Sequence, residues 1–106
     1  MLFMITMTHD YSTCQTHDPE RGPLWKNTLA SLSDHGLKIH ANYVNRLEHR
    51  GYMVVEADSF EEIDAAFDPV LEMSHFEVTP VRTLCHENLP LFKNFTPPLP
   101  PSTQHL

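Results

Sequence analysis

The pattern of apolar and polar positions divides the chain into a series of short elements. Leu2-Phe3-Met4-Ile5-Thr6-Met7-Thr8 is apolar on both alternating faces, with Leu2 and Met4 on one and Phe3, Ile5 and Met7 on the other. That doubled pattern predicts a central strand covered on both sides. Gly22-Pro23 then opens a helical pattern in which Trp25, Leu29 and Leu32 recur at spacings of four and three. A proline suits the first turn, where its missing N–H has no helical partner to lose. His35-Gly36 closes this helix with a basic last turn and a glycine able to take positive φ. Leu37 to Arg46 alternates as a second strand of mixed polarity, hence an edge, with Ile39, Ala41 and Tyr43 on one face and His40, Asn42 and Val44 on the other. Leu47 to Gly51 is a turn, and Tyr52 to Ala57, rich in β-formers, is the return strand of a hairpin. Ser59-Phe60-Glu61-Glu62 has the form of a capping box and starts a second helix with Ile63, Ala66, Phe67 and Val70 on its buried face. Pro69 should break that helix, with Asp68 capping a short turn that begins at the proline. His75 to Arg82 alternates as a fourth strand, and Pro80 assigns it to a sheet edge.

The order β-α-β-β-α-β predicts an α+β, ferredoxin-like arrangement: one four-stranded antiparallel sheet with two helices on one face. Two helices cover only one face, so the apolar residues on the other face of the first and third strands need another cover. A second copy of the chain is the simplest, which predicts a homodimer. From Cys85 onward the composition shifts, and Pro90, Pro97, Pro98, Pro100 and Pro101 exclude a regular helix or a central strand. The chain therefore divides into a domain over 1–83 and a Pro-rich C-terminal arm and tail over 84–106. The arm at 84–95, with Leu84, Leu89, Leu91, Phe92 and Phe95, is expected to dock on the body or on the partner, and 96–106 to be extended and polyproline-like.

Composition narrows the partners. The 106 residues, 41% of them hydrophobic, suffice for one domain with a real core. Seven basic against 14 acidic residues leave a formal charge of -7, which repels a phosphate backbone and an anionic membrane surface, so neither nucleic acid nor a membrane is expected as a partner. No stretch approaches the ~20 apolar residues of a membrane helix. The apolar start lacks a basic lead and a small-residue cleavage site, and reads as a strand rather than a signal segment. Two cysteines fall short of a disulfide scaffold, which points to a reducing compartment and a cytoplasmic location.

The chemistry-bearing residues concentrate after the first strand. His9-Asp10-Tyr11-Ser12-Thr13-Cys14-Gln15-Thr16-His17-Asp18 opens a connection of about fourteen residues, a length uncommon in compact domains unless it is functional or disordered. In the inferred topology the end of strand one (His9), the hairpin turn (Glu48, His49) and the start of strand four (His75) share one rim, from which the loop carrying Cys14 and His17 springs. Imidazoles with a thiolate suit Zn²⁺, Cu or Fe(II), whereas Ca²⁺ and Mg²⁺ prefer oxygen. His9, Cys14, His17 and His49 are thus the candidate ligands of a transition metal. The competing reading is a solvated loop with incidental histidines, since H-x4-C-x2-H is not a standard zinc spacing. The opposite rim gathers His40, Glu56, Cys85 and His86. His40 meets Glu56 only if the register matches; otherwise it is an edge histidine facing water. Nothing local marks Cys14 as an activated nucleophile, and Asp10 and Asp18 read as turn residues. No catalytic residue is assigned, and no nucleotide or phosphate motif is present.

Three stretches, Leu2-Phe3-Met4-Ile5-Thr6-Met7-Thr8-His9, Val55-Glu56-Ala57-Asp58-Ser59 and Phe76-Glu77-Val78-Thr79-Pro80-Val81, resemble the DUF3303-like family of the dimeric α+β barrel superfamily. The resemblance spans about residues 2–83 and leaves the tail unmatched. It implies a ferredoxin-like subunit that dimerises face to face through its sheet into a dimeric α+β barrel, as in cofactor-free monooxygenases, haem-degrading enzymes and muconolactone isomerases. It also implies counterparts of His9, Cys14, His17 and the Glu48-His49 pair in some relatives. A fold of this kind hosts many chemistries and does not fix an activity. The expected function is a small dimeric barrel protein that binds Zn, Cu or Fe through His and Cys side chains at one rim, as a metal-dependent small-molecule enzyme or a metal-responsive protein. The alternatives are a cofactor-free barrel, monooxygenase- or isomerase-like, with a pocket lined by Phe3, Ile5, Trp25, Tyr43 and Phe67, and a structural protein without metal.

Overall fold

A computed structural model describes residues 1–14 and 16–84. Strand β1 (Leu2–Thr8) leads through the loop at 9–20 into helix α1 (Arg21–Ala30), a 3-10 turn (Leu32–His35), strands β2 (Lys38–Asn45) and β3 (Arg50–Glu56), helix α2 (Phe60–Phe67), a 3-10 turn (Asp68–Val70) and strand β4 (His75–Val81). The sheet order is β2-β3-β1-β4, and all neighbours are antiparallel. This is the ferredoxin-like β-α-β-β-α-β arrangement, with β1 and β3 central and β2 and β4 at the edges.

The sheet is open, which corrects the expectation of an α+β barrel. Closure would require β2 to pair with β4, yet these strands lie at opposite ends of the sheet. About eight strands are needed to enclose even a side-chain-filled interior, and this chain has four. Within the single chain the two faces of β1 are covered unequally. Phe3, Ile5 and Met7 are buried under the helices together with Met53, Val55, Ile63, Ala66 and Phe67, but Met4, on the other face, is 45% exposed.

Local chemistry accounts for the element ends. Ser59 Oγ accepts the Glu62 N–H at 3.3 Å, as the capping-box pattern requires, while Glu62 Oε2 reaches past Ser59 to the Asp58 N–H at 3.2 Å. Pro69 ends α2 as expected, although the short turn begins at Asp68 and has no side-chain cap. The first helix stops earlier than its periodicity predicts. Ser31 Oγ donates to the Thr28 carbonyl at 2.9 Å, and the chain continues as a 3-10 turn that ends at Gly36 with φ 83°. His40 is the extra residue of a bulge between Ile39 and Ala41. The bulge shifts the alternation of β2, so that Ile39, Asn42 and Val44, opposite Val55, Met53 and Gly51, share the helix-facing side, and the simple period-2 assignment of this strand fails. Of the arm expected from residue 84, Leu84 is 61% exposed; the remainder of the arm and tail lies outside the described residues. Among the described residues no helix is long and apolar enough to cross a membrane.

Candidate metal centre

The rim at the end of β1 is assembled by backbone hydrogen bonds before any side chain contributes. Thr8 pairs with Arg50 on one side and His75 on the other, and one step beyond, the His9 N–H donates to the His49 carbonyl at 3.1 Å. The hairpin turn is locked by a reciprocal pair: Asn45 Nδ2 donates to Glu48 Oε1 at 2.8 Å, and the Glu48 N–H donates to Asn45 Oδ1 at 3.1 Å. His49 follows in the left-handed region, φ 53°, the only described non-glycine residue there. That conformation turns its ring toward β1, where His9 Nε2 and His49 Nδ1 lie 3.3 Å apart and the rings meet edge to face.

The loop brings in the thiol. Asp10 accepts the Ser12 N–H and hydroxyl and so caps the 3-10 turn Tyr11–Thr13, which ends at Cys14. Asp18 Oδ1 accepts the Glu20 and Arg21 N–H groups, each at 2.8 Å, holding the turn that leads into α1. Arg21 then ties the two turns together, its Nη1 donating to the Ser12 carbonyl at 2.8 Å. The two aspartates are therefore turn residues, as their sequence setting suggests. Cys14 is held beside the imidazoles, and donor atoms of His9, Cys14 and His49 all lie within 4.8 Å of one another.

These distances fit a transition metal. Tetrahedral Zn–N bonds of about 2.0–2.1 Å set two imidazole nitrogens roughly 3.3–3.4 Å apart, and a Zn–S bond of about 2.3 Å gives an N···S edge near 3.6 Å. The His9–His49 separation already has the first value. The thiol needs at most about an ångström of movement to reach the second, and it sits on a partly exposed loop. Protonation states favour coordination as well. Burial lowers the His9 pKa and the neighbouring His49 lowers it further, against a smaller opposing effect of Asp10, which favours the neutral ring that a metal requires. The Cys14 thiol is held below its ordinary value chiefly by hydrogen bonding to the Thr16 hydroxyl, 3.3 Å away, then by the Thr16 backbone, with the Arg46 cation adding to the effect. A His/His/Cys cluster capable of coordinating a metal ion is thus present.

Of the four candidate ligands, the structure gathers His9, Cys14 and His49 and leaves His17 exposed outside the group. Glu48 is engaged in the turn lock, and His75, at the start of β4, is exposed. Sequence reasoning did not find Thr16 and Arg46, the groups that favour the thiolate. Thr16 stands two residues from Cys14, a local signal that was available; Arg46 is brought near only by the hairpin. At the other end of the sheet, the bulge places His40 Nε2 2.9 Å from Glu56 Oε1, so that pair does form. Cys85 and His86 lie outside the described residues.

Beside the cluster a cavity of about 250 Å³ opens between α1 and the β2–β3 hairpin, lined by residues including Met7, His9, Trp25, Leu29, Asn42, Tyr43 and Val44. Trp25 and Tyr43 belong to the expected pocket, whereas Phe3, Ile5 and Phe67 are in the closed core instead. The molecule is thus an open-sheet ferredoxin-like α+β protein with a His/His/Cys cluster on one rim. Residues 1–86 match the family described as Domain of unknown function (DUF3303), and the chain belongs to that family. No curated protein matches the chain.

Proposed function

We propose that this protein binds one transition-metal ion per chain through His9, Cys14 and His49, and that it acts as a metal-dependent small-molecule enzyme. The observation that carries the reading is the donor geometry: 3.3 Å between His9 Nε2 and His49 Nδ1, with Cys14 Sγ inside the same 4.8 Å group. Two imidazoles and a thiolate select Zn²⁺, Cu or Fe(II) over Ca²⁺ or Mg²⁺. Three protein donors are the number found in catalytic sites, where the remaining position takes water or a substrate oxygen; a closed structural site uses four.

Elemental analysis of protein purified without a histidine tag tests this. Wild type is expected to carry close to one equivalent of metal, and Cys14→Ala and His9→Ala little or none. His17→Ala should retain the wild-type content. Metal absent from wild type, or unchanged by both ligand substitutions, removes the site. The cavity beside His9 would then support a metal-free ligand-binding protein as the better reading.

A further inference from the structure

Helix α1 leans toward β4: Trp25 stacks near Phe67 and Phe76, with ring centroids 6.4 and 6.3 Å away. The helix-facing side of β2 is left uncovered, so Val44 is 66% exposed and Ile39 38% exposed. The gap between α1 and β2 is the 250 Å³ cavity. Its floor is Met7 over Gly51, where a Cβ would lie 2.9 Å from Met7 Cε, so the glycine is what allows the methionine to lie flat there. One wall is apolar, from Trp25 and Leu29. On the other wall Asn42 breaks the apolar pattern and makes no side-chain hydrogen bond among the described residues. His9 belongs to both the cavity lining and the donor cluster.

We propose that the cavity is the subsite for the metal's exogenous ligand, and that it takes a small molecule with a ring-sized apolar body and one nitrogen or oxygen donor that reaches the ion beside His9. This rests on the metal reading above. Size sets the ligand class. A closed apolar cavity of about 150 Å³ holds a benzene, and drug-sized ligands occupy about 300–1,000 Å³. The present volume therefore suits a single ring with a short donor-bearing group. Asn42 offers an amide to a polar substituent of that ring.

The test uses the full chain loaded with Co²⁺, whose visible absorption reports both its coordination by Cys14 and the entry of an added ligand. Imidazole and 4-phenylimidazole present the same donor, and only the second carries a ring to fill the cavity. Burial of a phenyl group favours 4-phenylimidazole by roughly tenfold to a hundredfold in wild type. Leu29→Trp and Val44→Trp fill the cavity from opposite walls. Each should abolish the preference while leaving Co²⁺ stoichiometry unchanged. Val44 is exposed enough for its substitution to spare the fold should Leu29→Trp disturb it. Wild type that takes up no Co²⁺ overturns the metal reading and this inference together. Stoichiometric Co²⁺ with equal affinity for the two imidazoles, or a preference that survives Val44→Trp in a folded protein, overturns the subsite alone.

Discussion

At the scale of single residues, His49 carries two requirements that pull in different directions. It must supply a donor 3.3 Å from His9, and it must hold φ at 53°, where a side chain is unfavourable. Substitution separates the two. His49→Gly removes the donor and relieves the backbone, whereas His49→Ala removes the donor and keeps the strain. Both variants should lose bound metal. The metal-free glycine variant should be the more stable to urea by about 1 kcal/mol. Equal metal content in His49→Gly and wild type would exclude His49 as a ligand. Cys14 presents the complementary situation: its chain conformation is ordinary, and its chemistry is set by neighbours, the Thr16 hydroxyl first and the Arg46 cation after it.

At the scale of elements, the loop between β1 and α1 is ordered by two aspartate-capped turns joined through Arg21. Asp18 makes this order dependent on pH. Its carboxyl is held below the usual range first by the Arg21 N–H and then by the Glu20 N–H, with the Arg21 charge adding a smaller share. A folded-state pKa below the unfolded value contributes stability above the unfolded pKa, and that contribution is lost as pH falls through the folded pKa. Asp18→Ala should therefore unfold at lower urea concentration than wild type at pH 7, and the gap should narrow as the pH is taken below about 3.8, the unfolded value. A gap that persists unchanged at pH 2 would assign the effect to something other than the carboxylate. Helix α2 needs no comparable tie, because its capping box and its buried Ile63, Ala66 and Phe67 hold it locally.

At the scale of the whole molecule, the helices cover one face of the sheet and leave the other to be explained. Met4 and Val54 pair across β1 and β3 on that face, and Met4 is 45% and Tyr52 37% exposed. We propose that a second copy of the chain covers these residues, forming a homodimer of two open sheets. Two identical faces suit each other in size and apolar character, and a two-fold contact is self-limiting. Light scattering at micromolar concentration should give twice the mass of the chain, and Val54→Lys should give the single mass with unchanged secondary structure. A monomeric wild type would end this proposal without touching the metal site, whose three donors come from one chain.

Much of this protein was legible because the physics involved is local. The capping box at Ser59, the break at Pro69 and the left-handed Gly36 each depend on residues within a few positions of one another, so element order and the ferredoxin-like arrangement follow from the sequence. The same is true of the edge strands, which mixed polarity and Pro80 mark. The sequence could place His9, Cys14, His17 and His49 on one rim, but it could not choose among them. His9 and His49 are forty residues apart in the chain, and they meet because Thr8 pairs with Arg50 and the turn bends back through a left-handed residue. The bulge at His40 likewise has no sequence signature, yet it reassigns the faces of β2, forms the His40–Glu56 pair and leaves Asn42 on the cavity wall. Openness of the sheet is also a tertiary fact, since whether β2 and β4 meet depends on the summed geometry of all four strands. What the sequence determined by itself were the elements and their order, through short-range sterics and burial; which face each residue of β2 presents, which donors converge, and beside which cavity, was decided only when register and turn geometry brought distant residues together.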